Sequence, residues 1–490
     1  MSKSLGRNAA INALRVCLQI IFPLISFPYA SRVLMPEGLG KVAFSSSLVA
    51  YFAILANFGV TNYAMPIAAK LRDNRHELSC FVYEMLLTNG IALLISYGLL
   101  YLLMFTYEPL FAYRGILLIQ SVSIVFTIIG MEWLYVAMED FGYITIRSFV
   151  FQLLALVALF VFVRKPTDII PYACINIFSS VGSNVINFIN ARKYLEKIRF
   201  SELNIGKHLK RLSAVFLFNA LCSIYNLLDT TILGLISGDR AVGLYTSASK
   251  IVRLVLNLLL AVTAVFLPRL SFNYSKSGQE YRRLATNEFN LVSLLAFPFS
   301  AGLALLSTNI LRIMSGPGFI EAAQAMVVLS LLLPIVGISN VLSSQIFFII
   351  GKEYYATIAS FFSAIVDLAL NLFLIPRMGY LGAAIACVSA EATGLVICLF
   401  ISRRFVDLSS AFGELWKPLV ATVTIAGLYW LVWPHISKLG IIAGILIYIV
   451  LSIVFYAGVL LLTRHSYFMF QVKRLLSKAH KSKIIDNFDS

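Results

Sequence analysis

Runs of about twenty apolar residues recur along the whole chain, and few charged residues interrupt them. Of the 490 residues, 60% are hydrophobic and only 13% are charged. A run of this length crosses the hydrocarbon core of a bilayer as an α-helix, because a helix satisfies its own backbone hydrogen bonds in lipid. The sequence therefore predicts an all-α polytopic membrane protein with about fourteen transmembrane helices and no separate folded domain in its loops.

The predicted spans follow the apolar runs and are numbered 1 to 14 in chain order. They cover residues 9–32, 39–64, 80–105, 115–137, 141–163, 168–190, 213–237, 241–268, 288–310, 322–350, 354–376, 379–402, 416–434 and 438–463. Only Lys3 and Arg7 precede the first run, which leads directly into further spans. We therefore expect no cleavable signal peptide, and the first helix should act as a permanent anchor.

The net charge of +16 arises mainly from lysines and arginines between the spans. Basic residues in short loops stay on the cytoplasmic side and so set the orientation of the chain. The basic segments 70–75 and 191–211 fall on the same side as the C-terminal tail. Both termini are therefore expected in the cytoplasm, and the basic charge is not expected to bind nucleic acid.

The cysteines and histidines show no pattern typical of a metal site or a catalytic site. The six cysteines lie in or at the edge of apolar spans, without a CxxC motif, and we interpret them as small core residues. The five histidines lie outside the spans or at their ends, and we interpret none of them as paired at the spacing of metal ligands. P-loop and G-x-S-x-G motifs are missing too. We expect no cofactor, metal or catalytic residue, and favour a secondary transporter.

Two short segments predict an internal repeat. Residues 38–47 (GLGKVAFSSS) resemble residues 241–249 (AVGLYTSAS), and each segment opens an even-numbered span. Six spans separate the copies, so the two halves should be parallel repeats with the site between them. The predicted organisation is a first lobe (1–190), a basic linker (191–211), a second lobe (212–402), spans 13 and 14 (403–463) and a basic tail (464–490).

Polar residues form stripes on two of the predicted helices. Span 1 carries Asn8, Asn12, Arg15 and Gln19, and span 8 carries Thr246, Lys250, Arg253 and Asn257. Spacings of four, three and four residues place each set on one helical face. An ionisable residue at membrane depth costs at least a few kcal/mol, so it usually faces a wet cavity on a substrate path. Basic residues on these stripes predict an anionic cargo.

Spans 7 and 11 carry two more polar stripes. Their members are Asn219, Ser223, Asn226 and Thr230 in span 7, and Ser363, Asp367 and Asn371 in span 11. Together the stripes predict the lining of a central cavity, although polar residues also join helices by interhelical hydrogen bonds. Asp229 is expected either to form a salt bridge with Lys250 or Arg253, or to bind a proton or cation. Asp367 and Glu391 are further candidates for coupling or charge pairing, and Glu84 and Glu132 are other acids at membrane depth.

Several motifs, in order along the chain, resemble those of bacterial polysaccharide (Wzx-type) flippases. They are residues 32–40 (RVLMPEGLG), 130–133 (GMEW) with Glu139 and Arg147, 229–234 (DTTILG), 242–245 (VGLY), 248–251 (ASKI), 351–352 (GK), 374–376 (LIP) and 379–386 (GYLGAAIA). The resemblance covers essentially the whole chain. The family that it resembles belongs to the multidrug/oligosaccharidyl-lipid/polysaccharide exporter superfamily.

This resemblance implies two six-helix lobes that form a V around a cationic cavity, with spans 13 and 14 added at the C-terminus. The implied cargo is an undecaprenyl-diphosphate-linked oligosaccharide, which is moved to the outer leaflet of the bacterial plasma (inner) membrane for O-antigen, capsule or exopolysaccharide synthesis. Further expected partners are membrane lipids, a polysaccharide polymerase and chain-length proteins.

The resemblance also implies which residues would hold the diphosphate, because basic residues of related flippases lie on equivalent helices. Arg15, Lys250 and Arg253 match basic residues of related flippases, and Arg32 is a weaker match at a span end. Expected polar partners in the cavity are Asn12, Gln19, Asn226 and Asn257. Span 2 departs from the family pattern, since its only basic residue is Lys41 near the outer end.

Two other functions compete with this interpretation. A drug/cation antiporter of the same superfamily should have an acidic first lobe, and Arg15 in span 1 disfavours it. A membrane enzyme of polysaccharide assembly needs a large catalytic loop or a His/Asp pair, and the sequence shows neither.

Overall fold

The computed structural model describes residues 5–274, 276, 278–405 and 409–474, without the side chains of residues 5–20, 218, 221, 222 and 410. The α-helices are α1 (Leu5–Asn57), α2 (Val60–Leu71), α3 (Arg75–Thr106), α4 (Arg114–Ile129), α5 (Glu132–Ala137), α6 (Phe141–Phe162), α7 (Ile169–Ile177), α8 (Asn184–Asn190), α9 (Gly206–Thr263), α10 (Leu267–Tyr274), α11 (Gly278–Leu305), α12 (Ser307–Met314), α13 (Ala323–Ser330), α14 (Leu332–Asn340), α15 (Tyr354–Met378), α16 (Tyr380–Ser402), α17 (Ser409–Glu414), α18 (Trp416–Ile436) and α19 (Ile441–Leu462). Short 3-10 helices cover Glu108–Tyr113, Ala191–Lys193, Phe200–Glu202, Pro317–Ala322 and Ser437–Leu439, and π-helical turns cover Phe178–Gly182 and Val341–Phe347. Residues 466–474 are also helical, and the described residues contain no β-strand.

Twelve helical segments of the described residues are long and apolar enough to cross a membrane. Two of them, Ile21–Leu71 and Ser223–Tyr274, each cover two predicted spans, and the others each match one. The prediction of an all-α polytopic membrane protein is thus confirmed. The number of fourteen spans stays a prediction.

The two longest segments are interrupted where the sequence predicts a connection between spans. A straight helix of 51 residues would extend about 77 Å, more than twice the roughly 30 Å hydrocarbon core. Helix α1 breaks at Met35 (φ 60°), and α9 breaks at Gly238 (φ 78°). Pro36 contributes to the first break, because a proline disfavours helical geometry at the residue before it. Met35 and Gly238 occupy equivalent positions in the predicted repeat.

The helices form two compact units. The first unit consists of Met1–Ser247, Ile313–Phe319 and Asn371–Ala383, and the second consists of Ala248–Arg312, Ile320–Leu370 and Ala384–Ser490. In the first unit, α1 packs against α3, α4 and α6, and α2 packs against α5. In the second unit, α11 packs against α13, α14 and α18, and α18 pairs with α19. The lobe boundaries predicted from the repeat differ from this division and stay a prediction.

Each unit has an apolar core. In the first unit, Val60 of α2, Met85 of α3 and Leu134 of α5 are buried in one cluster that also includes Leu212 of α9. This cluster fixes the first turns of α3 beside the start of α9. In the second unit, buried residues of α18 and α19, such as Ile425 and Tyr448, form another cluster.

Candidate functional site

The basic stripe of span 8 lies on the polar face of α9. The side chains of Lys250 and Asn257 are exposed and that of Arg253 is half-buried. Val252 and Leu256, on the opposite side of the helix, are buried. The polar side chains of the stripe therefore share one face of the helix, and their role in binding a cargo stays a prediction. Because this part of α9 belongs to a membrane-spanning segment, the stripe presents positive charge within the membrane.

Lys250 and Arg253 lie one turn apart on this face. Side chains at this spacing are neighbours, about 5–6 Å apart at Cβ, so two positive charges repel each other there. Arg253 donates a hydrogen bond from Nε to Oγ of Ser249, at 3.2 Å, which orients its guanidinium. A ligand with two negative charges would offset the repulsion and form charge-assisted hydrogen bonds with both residues.

Asp229 is buried in the first unit and accepts two hydrogen bonds from neutral side chains. The hydroxyl of Tyr245 donates to its Oδ2, and Nδ2 of Asn371 donates to its Oδ1 at 2.8 Å. Tyr245 reaches Asp229 because α9 breaks between them at Gly238. Neither partner is predicted from the sequence pattern around Asp229. The predicted salt bridge of Asp229 with a basic residue of span 8 stays a prediction.

The span 11 stripe differs from the expected cavity lining. Ser363, Asp367 and Asn371 are all buried, with at most 4% of their surface exposed. A Cβ atom added at Gly394 of α16 would lie 2.6 Å from Oγ of Ser363, so α15 and α16 are in close contact here. This stripe therefore faces neighbouring helices and not an open cavity, which is the alternative that the sequence left open. Asp367 and the half-buried Glu391 of α16 remain candidates for coupling.

The remaining predicted site residues lie in the first unit. Asn12, Arg15 and Gln19 belong to the helical backbone of α1, but their side chains lie outside the described residues. Asn226 is exposed on α9.

Arg32 is also exposed, and its guanidinium donates to the backbone carbonyl of Ile313 near the end of α12. The last carbonyls of a helix have no partner within the helix, so this contact stabilises its end. A diphosphate role for Arg32 stays a prediction.

Arg147 of α6 is a basic residue that was not predicted from sequence as a site residue. It is buried, and its Nη1 donates to the carbonyl of Ser183 at 3.3 Å and to Oδ1 of Asn184 at 3.4 Å. Asn184 in turn donates to the carbonyl of Phe126 in α4, at 2.9 Å. Arg147 therefore helps hold α4 and α6 together. In the sequence, only the position of a lone arginine within an apolar run points to this buried role.

Each unit contains a cavity, and the two differ in polarity. A cavity of about 240 Å³ in the first unit has a mixed lining, with neutral polar residues such as Ser46, Gln120 and Asn176 beside apolar ones. A cavity of about 600 Å³ in the second unit is almost wholly apolar and is bordered by α11, α18 and α19, including Leu294 and Ile445. The first suits hydroxyl or amide groups, and the second suits hydrocarbon.

Comparisons with known proteins agree with this architecture. The family described as polysaccharide biosynthesis protein matches residues 5–273, more than half of the chain. The chain is similar to a protein of Escherichia coli (strain K12) with the provisional name O-antigen transporter, at 24% identity over 407 residues, which cover 82% of this chain and 97% of the relative. It is also similar to the provisionally named low-salt glycan biosynthesis flippase Agl15 of Haloferax volcanii, at 24% identity over 211 residues, which cover 41% and 43% of the two chains.

Among solved structures, the lipid II flippase MurJ in an inward closed conformation has a similar fold. The TM-score is 0.70 at 16% identity, and the match covers 92% of this chain and 99% of that chain. The names of these three proteins describe a transporter and two flippases, in agreement with the expectation that the chain is not an enzyme.

Proposed function

Because the chain belongs to the family of polysaccharide biosynthesis proteins, we propose that it is a flippase that moves a lipid-linked oligosaccharide from one membrane leaflet to the other. The observation that carries this proposal is the stripe with Lys250 and Arg253 on an accessible face of a membrane-spanning helix. Basic residues at membrane depth are costly, and a lipid diphosphate would form charge-assisted hydrogen bonds with them. The proposed cargo lipid is undecaprenyl diphosphate.

The parts of such a cargo differ in chemistry, and the described residues offer a suitable surface for each. The diphosphate would bind Lys250, Arg253 and, as the sequence predicts, Arg15. Sugar hydroxyls would bind neutral polar groups such as those of the cavity in the first unit. The isoprenoid chain would lie against apolar walls such as those of the cavity between α11, α18 and α19.

The proposed direction is from the cytoplasmic to the outer leaflet of the bacterial plasma membrane, by alternating access, with both termini in the cytoplasm. Carrying two negative charges outward across an inside-negative membrane releases roughly 4–5 kcal/mol per 100 mV if they cross the full field. The membrane potential can therefore drive this export. A polymerase and chain-length proteins would then act on the delivered repeat unit in O-antigen, capsule or exopolysaccharide synthesis.

Complementation of a strain that lacks this protein tests the proposal. Without it, lipid-linked repeat units should accumulate on the cytoplasmic side and surface polysaccharide should be lost. Arg253→Ala and Lys250→Ala should restore at most a small fraction of export at normal protein levels. Arg282→Ala is the matched control, because Arg282 is an exposed arginine near the start of α11, outside the stripe. It should restore export fully.

The same strain separates this function from its competitors. A drug/cation antiporter would change the sensitivity of the cells to cationic drugs and leave the lipid-linked units unchanged. If the protein were a membrane enzyme of polysaccharide assembly, the strain that lacks it would accumulate lipid-linked units on the outer leaflet. Full export by the Lys250→Ala, Arg253→Ala double variant would rule out diphosphate binding by the stripe.

A further inference from the structure

The start of α3 approaches the linker segment, defined as residues 191–211, and three side chains that commonly bind metals meet there. His76 and Cys80 lie four residues apart in α3, so they share one face of the helix. Glu202 comes from the short 3-10 helix of the linker segment. From the sequence alone, Cys80 is interpreted as a core residue. Its spacing from His76 places these two side chains on one helical face but does not identify a third ligand. The linker segment supplies the third.

The three potential ligand atoms are arranged as around a tetrahedral ion. Nε2 of His76 lies 3.1 Å from Oε2 of Glu202, and Sγ of Cys80 lies 3.8 Å from the same Nε2 and 3.9 Å from the same Oε2. Around a tetrahedral zinc ion with bonds of about 2.0–2.3 Å, ligand atoms lie about 3.3–3.6 Å apart. Shifts of a few tenths of an ångström would bring all three atoms to bonding distance.

A second carboxylate orients the histidine for this purpose. Oε1 of Glu196 lies 2.8 Å from Nδ1 of His76, on the far side of the ring from Nε2. Metal-binding histidines usually donate their other ring N–H to a carboxylate, which fixes the tautomer and raises the basicity of the ligating nitrogen. Glu196 is itself held in place, because its backbone N–H donates to Oγ of Ser79 at 2.9 Å.

At the same point, the side chain of Arg75 fastens the linker segment through hydrogen bonds to backbone carbonyls. Nη2 of Arg75, the first residue of α3, donates to the carbonyl of Leu195 at 2.9 Å and to that of Lys193 at 3.2 Å. The approach of the linker segment to α3 therefore does not depend on a metal ion. A preformed site loses less conformational entropy when it binds its ligand.

We propose that His76, Cys80 and Glu202 bind a Zn²⁺ ion, with a water molecule as the fourth ligand, and that the ion adds a further link between the linker segment and α3. A thiolate, an imidazole and one carboxylate form a donor set typical of zinc, whereas Mg²⁺ and Ca²⁺ prefer oxygen ligands alone. Cys80 binds as the thiolate and releases its proton to solvent. The predicted cytoplasmic orientation would keep this thiol reduced.

A metal-free arrangement of the same side chains makes different predictions. Protonated His76 could bridge Glu196 and Glu202 as an ion pair, and Cys80 would then contribute little. Such a cluster would retain no zinc, and its stability would not respond to Cys80→Ser. The two arrangements can therefore be distinguished with the full-length protein.

The test uses the purified full-length protein in detergent, stripped of metals and then exposed to Zn²⁺ or Co²⁺. The wild type should retain about one zinc ion per chain after desalting, and Co²⁺ should produce the absorption of a thiolate–cobalt bond. Cys80→Ser should abolish this absorption and weaken zinc binding at least tenfold, whereas Cys174→Ser, at an exposed cysteine of α7, should preserve both. Zn²⁺ should also slow maleimide labelling of Cys80 but not of Cys174.

Two further variants keep the proposal falsifiable if Cys80→Ser folds poorly. Glu202→Gln replaces a carboxylate ligand with a neutral amide, and Glu196→Gln removes the negative charge of the carboxylate beside His76, a change that typically costs 10- to 100-fold in affinity. Zinc retention by the wild type that none of these three substitutions changes would overturn the proposed site. Failure of the wild type to retain zinc would overturn it as well, in favour of the ion pair.

Discussion

Gly40 and Gly243 meet at a backbone contact that leaves no room for a side chain at either position. A Cβ atom at Gly40 would lie 1.8 Å from the carbonyl oxygen of Asp239, and one at Gly243 would lie 1.9 Å from that of Pro36. The contact is reciprocal, because the predicted repeat pairs Gly40 with Gly243 and Pro36 with Asp239. Reciprocal contacts of this kind are typical of two-fold symmetry. The contact thus supports the repeat that the sequence predicts.

Substitution of either glycine by alanine should destabilise the protein. The added methyl group would overlap a backbone carbonyl, which cannot rotate away like a side chain, so we expect a loss of about 1–3 kcal/mol from Gly40→Ala or Gly243→Ala. Thermal unfolding of the purified protein in detergent measures this loss. Gly98→Ala in α3 is the control, since no atom lies within 4 Å of its added Cβ. A melting temperature of Gly40→Ala equal to that of the control would contradict the close contact.

The fold class was predictable because the bilayer fixes the length and apolar character of its helices. The break at Met35 was predictable as well, since Pro36 and two glycines follow it closely. Connections between distant helices were not predictable from one sequence. Nothing in the local pattern around Asp229 identifies Asn371, which lies 142 residues away in the chain.

The candidate site was predictable only where one helix carries the whole pattern. The spacing of Lys250, Arg253 and Asn257 alone predicts that they share one face of α9, and the structure adds that Lys250 and Asn257 are exposed and Arg253 is half-buried there. The span 11 stripe has similar spacing, but Asp367 is buried, because periodicity shows which residues share a face and not what that face contacts. The His76 cluster was missed for the same reason, since its third member comes from the linker segment.

Asp229→Asn should lower stability. The amide has one acceptor oxygen in place of two, so at least one of the hydrogen bonds that Asp229 accepts is lost or must be remade, and a lost buried hydrogen bond costs about 1–3 kcal/mol. Tyr245→Phe should cost about 1 kcal/mol, because it removes one donor and leaves the other. Thermal unfolding measures both losses. If the predicted charge pair with Lys250 dominated instead, Lys250→Gln would cost as much as Asp229→Asn and Tyr245→Phe would be neutral.

Asp168, in the loop before α7, should make stability depend on acidic pH. Its Oδ2 accepts hydrogen bonds from the backbone N–H groups of Arg164 and Lys165, both at 2.9 Å, and these bonds lower the pKa of the carboxyl below its ordinary value of 3.8. A carboxyl whose pKa is lower in the folded state than in the unfolded state stabilises the protein fully at any pH above the unfolded-state pKa. This contribution is lost as the pH falls through the folded-state pKa. The wild type should therefore melt above Asp168→Ala at neutral pH, and the difference should shrink below about pH 4. A constant difference across this range would contradict the prediction.

Glu84 links α3 to the end of the linker segment through a buried network. Its carboxylate has no exposed surface and accepts hydrogen bonds at Oε1 from the backbone N–H of Asn204, at 2.8 Å, and from Nζ of Lys207, at 2.9 Å. Its Oε2 lies 2.8 Å from Nε2 of His208, whose Nδ1 lies 2.9 Å from the hydroxyl of Tyr63. Glu84, described from sequence only as an acid at membrane depth, is thus surrounded by partners from outside its own helix.

Glu84→Gln should therefore destabilise the protein by about 2–3 kcal/mol, because the amide has one acceptor oxygen in place of two and its hydrogen bond with Lys207 loses the charge of the carboxylate. Lys207 is half-exposed, so solvent screens its ion pair and the loss should stay below that of a fully buried pair. Glu77→Gln, an exposed glutamate in the first turn of α3, is the control and should cost less than about 1 kcal/mol. Thermal unfolding measures the stability of both variants, and limited proteolysis of the linker segment should speed up only in Glu84→Gln. Equal cleavage rates would mean that Glu84 does not hold the linker segment against α3.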